Sequence, residues 1–115
     1  MKTIVIDVKS PAESFADMQK SLKSGKPDQH AHISFASFEL LWKVLTPTRW
    51  HLIEALTGAG PLGVRELARR VERDVRGVHA DAQALSRAGL IDKDGNGKLS
   101  FPYDAVHVDF TLKAA

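Results

Sequence analysis

The chain contains no cysteine, which removes disulfide cross-links, thiolate metal ligands and a cysteine nucleophile, and fits a reducing cytoplasm. It lacks a long apolar run. The opening "MKTIVIDVKS" is interrupted by Asp7, so it reads neither as a signal peptide nor as a spanning segment, and no membrane association is expected. There is no phosphate-binding glycine loop, no dinucleotide fingerprint and no G-x-S-x-G elbow, and the acidic residues do not gather into a two-carboxylate site. The expectation is a non-enzyme without a cofactor. Net charge of one sign is also scarce: a surplus of +2 over 115 residues permits contact with a polyanion without demanding it.

A chain of this length supports one ordinary core and is too short for two. Residues 1–34 read as a strand-helix-strand extension. Ile4, Ile6 and Val8 alternate with Val5, Asp7 and Lys9, a strand with one face more buried than the other. Ser10, Pro11 and Glu13 have the spacing of a capping box with proline at the first helical position. Phe15, Met18 and Leu22 share one side of the helix that follows, and Gly25 and Pro27 end it. The segment "HAHISF" returns as a strand on which His30 and His32 point the same way, so two ligands of a metal site are geometrically possible there. No carboxylate cluster accompanies them in the sequence, and no metal is expected.

From residue 35 to 115 the text is helical, then hairpin, then strand. Thr46-Pro47 is a stop followed by a capped start, and Trp50, Ile53 and Leu56 turn toward a core, with Trp42 read the same way. Val64, Leu67, Ala68 and Val71 fall at i, i+3, i+4 and i+7, the apolar stripe of a short helix. After "ERD", Asp74 caps another helix whose Val75, Val78, Ala82 and Leu85 repeat that spacing, closed by Gly89. The stretch "DGNG" suits a hairpin turn, since Asp-Gly and Asn-Gly tolerate positive φ. Val106, Val108, Phe110 and Leu112 alternate as a terminal strand, able to pair with the first strand or with its own copy.

Two helices joined by a short turn and followed by a hairpin have the order of a winged helix-turn-helix, in which the first helix braces the second so that the second can enter a major groove. Residues 64–85 carry arginine and no lysine. At about 100° per residue, the core stripe of the second helix leaves Arg76, Ala80, Gln83 and Arg87 on the opposite side, with Arg73 in line and His79 and Gly77 flanking. Arginine and glutamine read base edges through paired donors. Gly77 would let a ligand's backbone come close. Arg69 and Arg70 read as a solvated face, Asp74 as a cap, and Asp81 as the partner of a neighbouring arginine.

The run "LTPTRWHLIEAL…GPLGVRELARRV…DVRGVHADAQALSRAGLI" with "DGNGKLSFPYDAVHVDF" behind it resembles small prokaryotic winged helix-turn-helix DNA-binding proteins, and more widely the MarR-like and ArsR-like transcriptional regulators. The resemblance implies an α+β, mainly helical fold with residues 64–71 as support helix, 74–88 as recognition helix and 90–102 as wing. It implies a transcriptional repressor that binds double-stranded DNA, while the strand edges and paired half-sites lead us to expect a homodimer and the missing signal segment a cytoplasmic one. Arg73, Arg76, Gly77, His79 and Gln83 would then face the major groove, with Arg65, Arg87, Lys93 and Lys98 on phosphates. Many such relatives have glycine where this chain has Glu72, and a basic residue where it has Ala80. Some are similar to antitoxins, which implies a second role: an interaction module that occupies a cognate toxin.

Overall fold

The computed structural model describes residues 1–24, 31–112 and 114. The fold is α+β, with helices predominating. In chain order come β1 (Thr3–Val8), α1 (Pro11–Ser24), β2 (Ala31–Phe35), α2 (Phe38–Val44), α3 (Pro47–Leu56), α4 (Val64–Arg70), α5 (Val75–Arg87), β3 (Asp92–Lys93), β4 (Leu99–Ser100) and β5 (Ala105–Asp109). No helix among the described residues is long and apolar enough to cross a membrane.

Local chemistry sets most boundaries. Ser10 and Glu13 form the reciprocal capping box that opens α1: the Glu13 amide donates to Ser10 Oγ and the Ser10 amide to Glu13 Oε1. Ser37 caps α2 by accepting from the Leu40 amide, and Thr46 caps α3 by accepting from Arg49 with Pro47 in the first turn. Asp74 caps α5 through a 2.8 Å bond from the Gly77 amide. The chain end of α1 proposed at Gly25 and Pro27, together with His30, lies outside the described residues.

Three strands form a parallel sheet in the order β2-β1-β5, so the terminal strand pairs with the first strand of its own chain. The register places Ile4 beside Val106 and Ile6 beside Val108. The alternation in β1 predicts one buried face, yet Ile4, Val5, Ile6 and Asp7 are all buried. A central parallel strand is covered on both faces, and periodicity alone does not reveal which strand is central. Asp7 is satisfied there by Ser34, whose hydroxyl donates to its Oδ1, and by Lys9 and His32 within 3.8 Å.

One core joins sheet and helices. Ile4 and Ile6 of β1 pack in the same cluster as Leu41, Leu52, Ile53, Leu56, Leu67, Val78, Leu85, Leu90, Ile91, Leu99 and Phe101. Each such side chain contributes about 1.5 to 3 kcal/mol on leaving water. Two residues read as core are not. Val75 is 37% exposed because it occupies the first turn of α5, beyond the edge of α4, and Trp42 is 56% exposed, meeting Phe110 edge to face.

Candidate nucleic-acid interface

The connection between α4 and α5 is Val71 to Asp74. It turns sharply because Glu72 adopts φ 56°, the left-handed region. Around it the Glu72 amide bonds the Arg69 carbonyl and the Arg73 amide bonds the Ala68 carbonyl, the double closure that usually employs glycine. Helix α5 ends by the same device at Gly89, φ 82°, with Leu90 bonding back to the Leu85 carbonyl. Position 72 thus has a backbone that favours glycine, and this chain places glutamate there.

Beyond α5 the hairpin is held by β3 and β4, pairing Asp92 with Ser100 and Lys93 with Leu99. Its turn runs through Asp94, Gly95, Asn96 and Gly97, the residues of the "DGNG" stretch. Asp94 Oδ1 accepts from the amides of Asn96 and Lys98, and of the turn glycines only Gly97 takes positive φ. Leu62, just before α4, exchanges both main-chain bonds with Leu99 at 2.8 and 2.7 Å, adding a third short segment to the hairpin. The hairpin is therefore stitched to the helix pair rather than hung from it.

Between α5 and the hairpin runs a groove of about 340 Å³. His79, Gln83 and Arg87 line it from α5, and Lys93 lines it from the hairpin. These four expected site residues are brought together. Arg76 is exposed at the N-terminal end of the same outer helix face, while Arg65 and Lys98 are exposed outside the groove. Ala80 is also exposed on that face and offers no charge.

Two expected groove residues serve the protein interior instead. Arg73 Nη2 lies 2.9 Å from Asp81 Oδ2, and Asp81 Oδ1 takes a second bond from Arg49 Nε at 3.1 Å. Arg49 in turn donates to the carbonyls of Lys43 and Val44 at the end of α2. One carboxylate thus joins α3, α5 and the turn before α5, and holds the Arg73 guanidinium against it. Gly77 has a similar internal explanation: a Cβ there would stand 3.0 Å from the Asp74 carboxylate and 3.1 Å from Arg73 Nη2. A side chain there would crowd the cap and the ion pair, which would have to shift by a few tenths of an ångström to admit it.

Sequence reasoning foresaw a partner for Asp81 and missed Arg49, which lies 32 residues away on another helix. Its N3 position behind the Thr46 cap was the available signal. Arg69 and Arg70 both bond Glu66, as befits a solvated face. The bond from Arg69, then that from Arg70, holds the Glu66 carboxyl down at about 2.

The geometry defines a small α+β protein with a helix and a hairpin flanking a groove that bears cationic side chains. The family model HVO_A0114 matches residues 44–108, and the chain belongs to that family. The matched span runs from the end of α2 into β5 and contains every residue of the groove. No curated protein and no solved structure matches the chain.

Proposed function

We propose that the protein is a sequence-specific DNA-binding regulator of winged helix-turn-helix type, with α4 as brace, α5 as the helix that enters the major groove and the β3–β4 hairpin as wing. The observation that carries this reading is the convergence of His79, Gln83 and Arg87 with Lys93 on one groove, with Arg76 on the same outward face. Acidic residues on α5 do not spoil it. Asp74 caps α5 by accepting from the Gly77 amide and Asp81 is bonded by two arginines, so both carboxylates have partners within the protein. Gln83 and Arg76 are the base readers, and Arg87, Lys93, Lys98 and Arg65 set the protein on phosphates. Repression follows from occupancy of a promoter.

The test is binding to duplex DNA from upstream of the protein's own gene, against a scrambled competitor, over a range of salt. Selective binding is expected, with a log-log salt slope of about 0.9 per phosphate neutralised. Equal affinity for the scrambled duplex would overturn the reading.

A second reading, an antitoxin-type interaction module, is favoured by α1. Phe15 and Met18 are 57% and 55% exposed on a helix outside the family match. Stable co-elution with the product of an adjacent gene, lost on Phe15→Asp, is its expected result; a full-length protein that elutes alone beside that product rejects it.

A further inference from the structure

We propose that β5 is a homodimer interface, pairing antiparallel with β5 of a second copy about a two-fold axis at Val108. The inference is independent of whether α5 reads DNA.

The first observation is an edge with a defined polarity. β5 is an outer strand of the sheet, bonded on one side to β1. The Ala105 amide donates to the Lys2 carbonyl, so the main-chain groups of Ala105, His107 and Asp109 turn toward β1. By the alternation of a strand, those of Val106, Val108 and Phe110 turn outward. Neither proline nor lysine guards the segment Ala105–Asp109, although natural free edges are usually blunted by one or the other.

The second observation is that this edge is complementary to itself in one register. Registers that set an inward-turned residue against an outward-turned one cannot form the ladder. Among the rest, a two-fold at His107 places His107 against its own copy, and a two-fold at Val106 leaves Asp109 facing Tyr103. A two-fold at Val108 places His107 opposite Asp109 of the second copy, and does so twice. Both side chains are exposed on the same sheet face. They would occupy non-hydrogen-bonded pairs, where opposed Cα atoms approach to about 4.5 Å and side chains meet most closely. On the other face the same register sets Val108 against Val108 and Val106 against Phe110. The opposite edge, β2, offers no such match: its exposed positions are His32 and Ser34, which face the buried Asp7.

The third observation is an apolar groove of about 380 Å³ beside this edge. Trp42, Leu45, Pro47, Trp50, Val108 and Phe110 supply nearly all of its lining. Trp42 and Phe110 remain 56% and 37% exposed in the single chain. An axis through Val108 passes along the rim of the groove, so each copy brings its own Phe110 over the other's Val106 and shields the aromatic pair from water. A second copy therefore satisfies the backbone edge, the pairing of His107 with Asp109 and the apolar face at once.

The experiment is light scattering of the full chain after size exclusion. Wild type is expected at twice the 12.6 kDa of one chain. His107→Asp sets like charges opposite each other twice and is expected to return the single-chain mass. Adding Asp109→Lys to it sets opposite charges across the axis and is expected to restore the dimer. Val108→Pro removes an outward amide without touching the β1 ladder and is expected to give a folded monomer by circular dichroism. A monomeric wild type, or a dimer that survives both His107→Asp and Val108→Pro, overturns the proposal. So does a double variant that stays monomeric while His107→Asp alone dissociates and both remain folded.

Discussion

Arg73 and Arg76 stand three residues apart, on either side of the Asp74 cap, and the molecule uses them in opposite ways. Arg73 belongs to the turn, half-buried and bonded to Asp81 in a cluster that also holds Arg49. Arg76 belongs to the outer face of α5, exposed. A helical projection puts them in line and cannot separate them. What separates them is reach: Arg73 stands before the helix and folds back onto a carboxylate two turns on, whereas Arg76 points away from it. A cation is available for a ligand only after the protein's own carboxylates have been assigned.

The largest expected effect comes from removing the carboxylate on which the inner cluster depends. Asp81→Ala leaves two part-buried guanidinium groups without their shared partner, and a loss of about 2 to 3 kcal/mol is expected in urea denaturation. An unchanged midpoint would show that the cluster does not hold the helices together. Arg76→Ala should behave in the opposite manner. Stability should stay within about 0.5 kcal/mol of wild type, while affinity for the selected duplex falls by about 1 to 3 kcal/mol and discrimination at one base pair relaxes. Arg73→Ala should lower stability more than Arg76→Ala does; equal loss of DNA affinity with full stability in both would erase the distinction between them.

Smaller effects follow from the turn and from α4. Glu72→Gly relieves a left-handed non-glycine residue and is expected to stabilise by about 1 kcal/mol, seen as a raised denaturation midpoint. If the midpoint falls, the Glu72 side chain has a role that backbone geometry does not reveal. Least of all should Arg69→Ala matter, since its partner Glu66 is on the solvent side of α4. Because the folded-state value of Glu66 is depressed to about 2 from 4.5, its contribution is present above the unfolded value and disappears as pH falls from there through the folded one. A carbon-13 titration of the Glu66 carboxyl checks this, and Arg69→Ala should move that titration back toward 4.5.

Much of the local structure could be read from the residues. Ser10 with Glu13, Thr46 with Pro47, Asp74 and Gly89 all end or begin helices where their chemistry suggested, because caps are decided within four residues. The outward positions of Arg76, His79 and Arg87 followed from the apolar stripe of α5. The misreadings share one cause. Trp42 is apolar but lies where a single chain covers it only in part, and β1 alternates yet has neighbours on both faces. Periodicity states which residues share a side; it does not state what stands opposite.

The order of β2, β1 and β5 has a consequence for how the protein is made. Of the three strands of this sheet, the one made first is the middle one, and one of its two neighbours begins about a hundred positions later, as Thr3 pairs with Ala105. Until that late strand arrives, one edge of Ile4–Asp7 has no ladder to join, and the helical part must assemble around an unfinished partner. Loss of β5 would therefore damage β1 as much as the rim of the sheet, leaving an early strand open to any passing edge.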